Sequence, residues 1–277
     1  MSATPMRSNQ SRLAERDVRS EVELVGPSGV PVPARVWDIG EGRPVVFVSG
    51  LVGLNRHWEG VISRVCHRFR CMPVELPLLE LEGADCGVHG VRVMLETFMQ
   101  KWLGEPAIFV GSSFGGHVAL MLALDRPDLV SGLVLAGSSG LAEKPIVSET
   151  TKRDSYEWIQ TKIAELFHDP DSMDTSDVER AFRELTDRKK ARAMIKLSRS
   201  CRENHLGSEL HRVQAPTLVL WGRQDIVTPP EAASEFAQKI PNARLHWIER
   251  CGHAPMIERP EEFASGLLDF VDSIPGG

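Results

Sequence analysis

Short apolar runs of strand length alternate with segments of helical periodicity along most of this 277-residue chain. After a hairpin predicted at Glu21–Val25 and Val32–Trp37, the expected buried strands are Pro44–Gly50, Phe69–Leu76, Ala107–Val110, Val130–Ala136, Thr217–Trp221 and Arg244–Ile248. Strands separated by helices need crossover connections, and these favour a mainly parallel sheet with helices on both faces. The sequence therefore predicts an α/β fold in which the first hairpin adds an antiparallel edge.

One stretch departs from this alternation. Between Leu141 and Arg212 there is no strand-like run, and the predicted helices are Ser155–His168, Asp177–Thr186 and Arg188–Asn204. We expect a helical cap at residues 141–212, flanked by two parts of one core at 21–140 and 213–277. A polar segment without apolar periodicity, residues 1–20, is predicted to be a flexible tail.

Charge is segregated within the predicted cap. Residues 143–177 carry nine acidic and four basic side chains, whereas residues 179–202 carry three acidic and nine basic ones. One interpretation is two solvated helix faces that pair with each other. The other is that the basic stretch attracts an anionic substrate.

Composition excludes several classes of protein. The net charge of −6 gives no overall electrostatic basis for binding nucleic acid or an anionic membrane. No run approaches the roughly 18–20 apolar residues of a membrane helix, and the N-terminus lacks the apolar region of a signal peptide. The five cysteines form no C-x-x-C pair or metal-ligand spacing. We therefore expect reduced thiols, no metal, a cytoplasmic location, and neither nucleic acid nor membrane as partner; the oligomeric state is not predicted.

The strongest local motif is Gly111-Ser112-Ser113-Phe114-Gly115, which follows the strand ending at Val110 and opens a helix. This is the G-x-S-x-G pattern in the strand–turn–helix context that a serine nucleophile requires. The turn is tight, so the residues two positions either side of the nucleophile must be small. Gly111 and Gly115 meet that need for Ser113 but not for Ser112.

A serine nucleophile needs a base that is oriented by a third group. An acid, Asp225, follows the strand that ends at Trp221, and His253 follows the strand that ends at Ile248. Because the carboxyl ends of parallel strands share one edge of the sheet, Ser113, Asp225 and His253 can meet there. We predict that His253 accepts the Ser113 proton and that Asp225 holds the imidazole tautomer.

With these motifs the sequence resembles the α/β-hydrolase family from about residue 21 to residue 274. The motifs are Gly111–Gly116, the strand and acid loop Pro216–Asp225, and the run Gly252–Phe263, which resembles the histidine loop of small esterases and carbon–carbon-bond hydrolases. The resemblance implies an eight-stranded sheet, a helical cap between strands six and seven, and no cofactor. It also implies that the amides of Leu51 and Phe114 form the oxyanion hole.

The chain departs from the family pattern at two positions. Ser49 stands where relatives usually carry a histidine before the glycine of the oxyanion loop. Pro77-Leu78-Leu79-Glu80 stands where relatives often have a Pro-Gly-His-Gly turn. Since the oxyanion hole uses backbone amides, the first departure is expected to leave it intact.

Three functions remain open at this point. Ser113 argues against epoxide hydrolases and haloalkane dehalogenases of this fold, which place aspartate at the nucleophile position. The leading hypothesis is hydrolysis of a small or medium carboxylic ester through an acyl-enzyme. The alternatives are carbon–carbon cleavage of a diketone acid, with Arg199, Arg202 and Asn204 binding the acid, and a non-catalytic ligand-binding protein.

The residues after His253 favour the esterase. Carbon–carbon hydrolases typically carry a tryptophan close after this histidine, whereas Ala254-Pro255-Met256 follows here. Candidate substrate contacts are Leu141, Trp158, Phe167 and Met256, beside Leu51 and Phe114.

Overall fold

The computed structural model describes residues 18–141 and 155–274. Its strands are β1 (Val18–Val25), β2 (Pro31–Asp38), β3 (Arg43–Val48), β4 (Phe69–Glu75), β5 (Ala107–Ser112), β6 (Val130–Ala136), β7 (Thr217–Gly222) and β8 (Ala243–Ile248). They form one eight-stranded sheet in the order β1-β2-β4-β3-β5-β6-β7-β8. β2 is antiparallel to β1 and β4, and all other neighbours are parallel. The predicted fold class is confirmed.

Nine α-helices occur in the part of the chain that the structure describes. They are α1 (Glu59–Val65), α2 (Val88–Phe98), α3 (Phe114–Asp125), α4 (Tyr156–Ala164), α5 (Thr175–Thr186), α6 (Arg188–Glu203), α7 (Pro230–Lys239), α8 (Pro255–Glu258) and α9 (Pro260–Ser273). Short 3-10 turns join several of them, including one at Asn55–Trp58 directly before α1.

The core lies on both faces of the sheet because successive strand side chains point to opposite sides. In β3, Val46 and Val48 belong to the apolar cluster on one face, whereas Val45 and Phe47 belong to the cluster on the other. All four are nearly or fully buried. This explains why the strand is continuously apolar rather than alternating.

Several element boundaries differ from the predictions. β1 begins at Val18, so the predicted tail at 1–20 overlaps this strand, and residues 1–17 lie outside the described part. The helical spacing of apolar residues predicts a single helix over Val88–Leu103. In the structure the α-helix ends at Phe98, and the chain continues as a π-helical turn at Met99–Leu103. Gly104, with φ of 76°, then ends it in the left-handed conformation that glycine adopts without strain.

We call α4, α5 and α6 the inserted helices, because they lie between β6 and β7. A side chain caps the first turn of each: Ser155 accepts from Trp158 N, Asp174 from Ser176 N, and Asp187 from Lys189 N. Ile159 and Ile163 of α4 pack on Val178 and Ala181 of α5 in a small apolar cluster. Residues 142–154 of the predicted cap lie outside the described part.

The two charged blocks form ion pairs mainly with residues of the α/β part of the chain, within 21–140. This differs from the interpretation in which the two blocks pair with each other. Asp174 and Asp177 bind Arg56, whereas Lys189 binds Glu82 and Lys190 binds Glu80. Between the two blocks, the described ion pairs include only the one between Asp177 and Arg180.

Among residues 18–141 and 155–274, no helix is both long enough and apolar enough to cross a membrane. No disulfide joins any of the five cysteines, all of which lie within the described residues.

Candidate active site

Ser113 lies at the sharp turn between β5 and α3. Its φ of 52° and ψ of −119° are unusual for a residue with a side chain and cost roughly 1–3 kcal/mol. The lack of space for a side chain explains the glycines at positions 111 and 115. A Cβ on Gly111 would lie 2.5 Å from Gly116 Cα, and one on Gly115 would lie 2.2 Å from the Val48 carbonyl oxygen. The strand and the helix therefore meet closely enough to hold Ser113 in this conformation.

Asp225 and His253 come together on the loops that follow β7 and β8. His253 Nδ1 lies 2.8 Å from Asp225 Oδ2, and both residues are almost completely buried. Asp225 Oδ1 accepts from the backbone amides of Val227 at 2.8 Å and Thr228 at 2.9 Å. With Nδ1 donating to the carboxylate, Nε2 is the ring nitrogen left to accept a proton.

Thr228 is a third member of this buried network that sequence reasoning missed. Its hydroxyl lies 2.8 Å from Asp225 Oδ2 and 3.1 Å from His253 Nδ1. The hydroxyl is also 3.1 Å from the carbonyl oxygen of Gly137, the residue after β6. The sequence signal for Thr228 is its place three residues after Asp225, whose Oδ1 accepts a hydrogen bond from Thr228 N.

Ser113 and His253 line one cavity between the sheet edge and the inserted helices, and Leu51 lies in its wall. Leu51 belongs to a tight turn, Gly50–Gly53, closed by a hydrogen bond of 3.0 Å from Gly53 N to Gly50 O. A Cβ on Gly50 would lie 3.1 Å from Ser113 Cβ, so this turn lies directly against the serine. We call it the oxyanion turn, after the role that the family resemblance predicts for Leu51. Phe114 begins α3, with its side chain buried in the core.

Ser49, which stands where relatives usually have histidine, is explained by its surroundings. Its hydroxyl accepts a hydrogen bond of 2.9 Å from the indole of Trp58. A Cβ on Gly53 would lie 2.5 Å from Ser49 Cβ, so the oxyanion turn packs directly on this small side chain. The other departure, at Leu78–Glu80, forms a 3-10 turn whose Leu79 is buried.

Three of the four predicted substrate contacts line the cavity: Trp158, Phe167 and Met256. Leu141 does not line this cavity. It is buried in the main core, and a Cβ on Gly207 would lie 3.3 Å from its side chain.

The cavity wall is mostly apolar, but it includes charged side chains of the inserted helices. Of the three polar candidates for binding an acid, Arg202 lines the cavity, whereas Arg199 and Asn204 do not. Asn204 instead donates to Ser200 O at the end of α6. Asp177 and Arg180 also line it and were not predicted.

His117 is excluded as an alternative base by its environment. It lies on α3, is fully buried, and does not line the cavity. Burial lowers the pKa of His117 to about 4, so its ring is neutral at pH 7. No cluster of three or more metal-ligating side chains occurs within residues 18–141 and 155–274.

Glu258 holds the histidine loop against the connection between α4 and α5. Its buried carboxylate accepts from Gly252 N at 2.7 Å and from Asp169 N at 2.8 Å. Beside it, His253 N donates to Leu166 O at 2.7 Å. The loop that carries His253 is thus held by two of its own amides, with Gly252 N donating to Glu258 and His253 N donating to Leu166 O.

Replacing Glu258 with alanine is expected to destabilise the protein by about 2–3 kcal/mol, because the buried amide of Gly252 is left without an acceptor and the more exposed amide of Asp169 also loses its hydrogen bond. Thermal or urea unfolding measures this loss. Glu262→Ala is the matched control, since Glu262 is exposed on α9. Equal midpoints for the two variants would show that Glu258 does not hold the loop.

An eight-stranded α/β sheet with a serine at this turn and a histidine–aspartate pair at the same edge defines an α/β-hydrolase. The chain belongs to the alpha/beta hydrolase family, whose pattern matches residues 45–265.

Its relatives include both esterases and carbon–carbon-bond hydrolases. A pimeloyl-(acyl-carrier protein) methyl ester esterase of Nitrosomonas europaea is 29% identical over 82% of this chain and 94% of its own length. A 2-hydroxy-6-oxononadienedioate/2-hydroxy-6-oxononatrienedioate hydrolase 2 of Pseudomonas putida is 32% identical, covering 84% and 90%. The crystal structure of MGS-MChE2, an α/β-hydrolase from a sediment metagenome of the Mar Chica lagoon, matches with a TM-score of 0.70 at 29% identity, covering 86% and 94%.

Proposed function

We propose that this protein is a serine esterase that cleaves small or medium carboxylic esters through an acyl-enzyme on Ser113. The observation that carries the proposal is the 2.8 Å contact between His253 and Asp225 at the edge where Ser113 and His253 line one cavity. The proposal includes a cytoplasmic location, a small-molecule ester as partner, no cofactor, and a cap role for the inserted helices.

In the proposed reaction, His253 Nε2 accepts the Ser113 proton as the hydroxyl oxygen attacks the ester carbonyl carbon. The carbonyl oxygen becomes an oxyanion that accepts from the amides of Leu51 and Phe114. His253 then gives the proton to the alcohol oxygen, and the alcohol leaves. Water, deprotonated by His253, attacks the acyl-enzyme and releases the carboxylic acid and free Ser113.

The cavity supports an ester with an apolar acyl or alcohol part. Trp158, Phe167 and Met256 line it close to the catalytic edge, together with Ile159 and Ile163 of α4. Burial of such a group gains roughly 25 cal/mol per Å² of apolar surface. The esterase of Nitrosomonas europaea, a methyl ester hydrolase by name, supports this reaction type.

Carbon–carbon cleavage is the second candidate. The hydrolase of Pseudomonas putida supports it, and so does Arg202, a cation in the cavity wall that could bind a carboxylate. Ala254-Pro255-Met256 after His253 continues to favour the esterase.

A fluorophosphonate probe tests the catalytic class. We expect Ser113 to be labelled in the folded protein, and Ser113→Ala to abolish both labelling and ester hydrolysis. Binding of ligands without labelling would instead support a non-catalytic protein.

Nitrophenyl esters of increasing acyl length then separate the two reactions. We expect turnover of at least the short and medium esters. Failure on every ester, with turnover of a vinylogous diketone acid, would reject the esterase in favour of carbon–carbon cleavage.

A further inference from the structure

Arg180 of α5 reaches out of the inserted helices to the backbone of the oxyanion turn. Its Nη2 donates to the carbonyl oxygen of Val52 at 2.5 Å. Val52 directly follows Leu51 within the turn closed by Gly53 N and Gly50 O. A cation from the inserted helices therefore binds the same four-residue turn that carries the proposed oxyanion donor.

The guanidinium of Arg180 is itself fixed in place. Its Nη1 donates to Glu184 Oε2 at 2.9 Å, and its Nη2 lies 3.4 Å from Asp177 Oδ1. The side chain is mostly buried, with 19% of it exposed. Because a guanidinium is planar, binding Glu184 with one nitrogen also sets the direction of the other. That direction is toward Val52.

A second set of contacts ties α5 to the chain just after the turn. Asp177 Oδ1 accepts from Arg56 Nη2 at 2.7 Å, and Asp177 Oδ2 lies 3.0 Å from His57 Nε2. Burial alone would raise the pKa of Asp177, but His57, Arg56 and Arg180 together lower it. Asp177 is therefore an anion at neutral pH, and it connects α5 to residues 56–57 while Arg180 connects α5 to residue 52.

We propose that Arg180 is a positioning residue that holds the oxyanion turn so that the Leu51 amide faces the developing oxyanion. The proposal rests on the proposed function, because it assigns a role in the same reaction. An oxyanion donor acts only within a narrow range of distance, about 2.7–3.1 Å from the oxygen. The hydrogen bond from Gly53 to Gly50 sets the shape of the turn, and Arg180 sets its position relative to Ser113.

The test compares Arg180→Met, which removes every donor at similar length, with Arg180→Lys, which keeps one cationic donor. The matched control is Arg183→Met, because Arg183 is exposed on the same helix. For each variant, kcat and KM are measured on 4-nitrophenyl butyrate, together with the inhibition constant of a trifluoromethyl ketone. Ser113 Oγ adds to the ketone carbon with transfer of its proton to His253, and the resulting alkoxide lies where the oxyanion forms.

For Arg180→Met we expect kcat to fall by about 10- to 100-fold, somewhat less than the loss of a whole donor, with KM within about threefold of the wild type. The inhibition constant of the ketone should rise by a factor similar to the fall in kcat/KM. Arg180→Lys should lie between Arg180→Met and the wild type, and Arg183→Met should match the wild type. If Arg180→Met does not fold, the intermediate values of Arg180→Lys carry the same comparison.

Two results would overturn the proposal. One is a kcat and a ketone inhibition constant within about twofold of the wild type in the folded Arg180 variants, even with a lower Tm, because Arg180 would then only attach the helix. The other is a change confined to KM. Failure of the proposed function itself would be distinguishable, since the wild type would then show no Ser113 labelling and no ester hydrolysis.

Discussion

Asp225→Asn is expected to lower kcat for ester hydrolysis by about 10⁴-fold while the protein stays folded. Asp225 Oδ1 accepts from two backbone amides, so the asparagine oxygen must take that position. The NH₂ group then faces His253 Nδ1, where Oδ2 accepts in the wild type. Nδ1 must become an acceptor, which moves the ring proton to Nε2, the nitrogen that has to accept the proton of Ser113.

Steady-state kinetics on a nitrophenyl ester measures this loss, with circular dichroism to confirm folding. Asp269→Asn is the control for the same change in charge, because Asp269 is exposed on α9. A KM close to the wild type is expected, since Asp225 is buried behind His253 and does not line the cavity. A kcat within about tenfold of the wild type would contradict the assigned role of Asp225.

Gly115→Ala is expected to destabilise the protein by about 3 kcal/mol or more, because overpacking against backbone has no easy relief. The new Cβ would lie 2.2 Å from the Val48 carbonyl oxygen and 2.6 Å from that of Ser49. Both neighbours are backbone atoms at the end of β3, so either α3 or the strand must move. Because the oxyanion turn follows Ser49, activity should fall together with stability.

Gly104→Ala is the control for the backbone strain that follows when a glycine with a positive φ is replaced. It lacks the clash that Gly115→Ala creates. Gly104 has φ of 76° but nothing within 4 Å of an added Cβ, so its cost should be only about 1 kcal/mol. Chemical unfolding of both variants gives the two losses on one scale. Comparable losses would show that close packing of α3 on β3 does not limit stability.

The fold, and the meeting of Ser113, Asp225 and His253 at one edge of the sheet, could be predicted because both depend on local sequence patterns. Each strand is a short apolar run, and the place of Ser113, Asp225 and His253 just after strands depends only on the direction of parallel strands. The 2.8 Å contact between His253 and Asp225 agrees with that expectation.

The supporting contacts could not be predicted because they join residues far apart in the chain. Arg180 lies 128 positions from Val52, and Asp169 lies 89 positions from Glu258. The local sequence of α5 does not indicate which of its arginines is directed toward the oxyanion turn. The same reason explains the charged blocks, because their partners Arg56, Glu80 and Glu82 lie in the α/β part of the chain, far in sequence from residues 143–202.

The hydrogen bonds that join the segment between β6 and β7 to the histidine loop and the oxyanion turn have a consequence for protein engineering. Leu166 and Asp169 bind the histidine loop and its Glu258, and Arg180 binds the oxyanion turn. A chimaera that exchanges only the segment between β6 and β7 would therefore mismatch both loops at once. To transfer the substrate selectivity of a relative, residues 50–58 and 251–258 must be exchanged together with that segment.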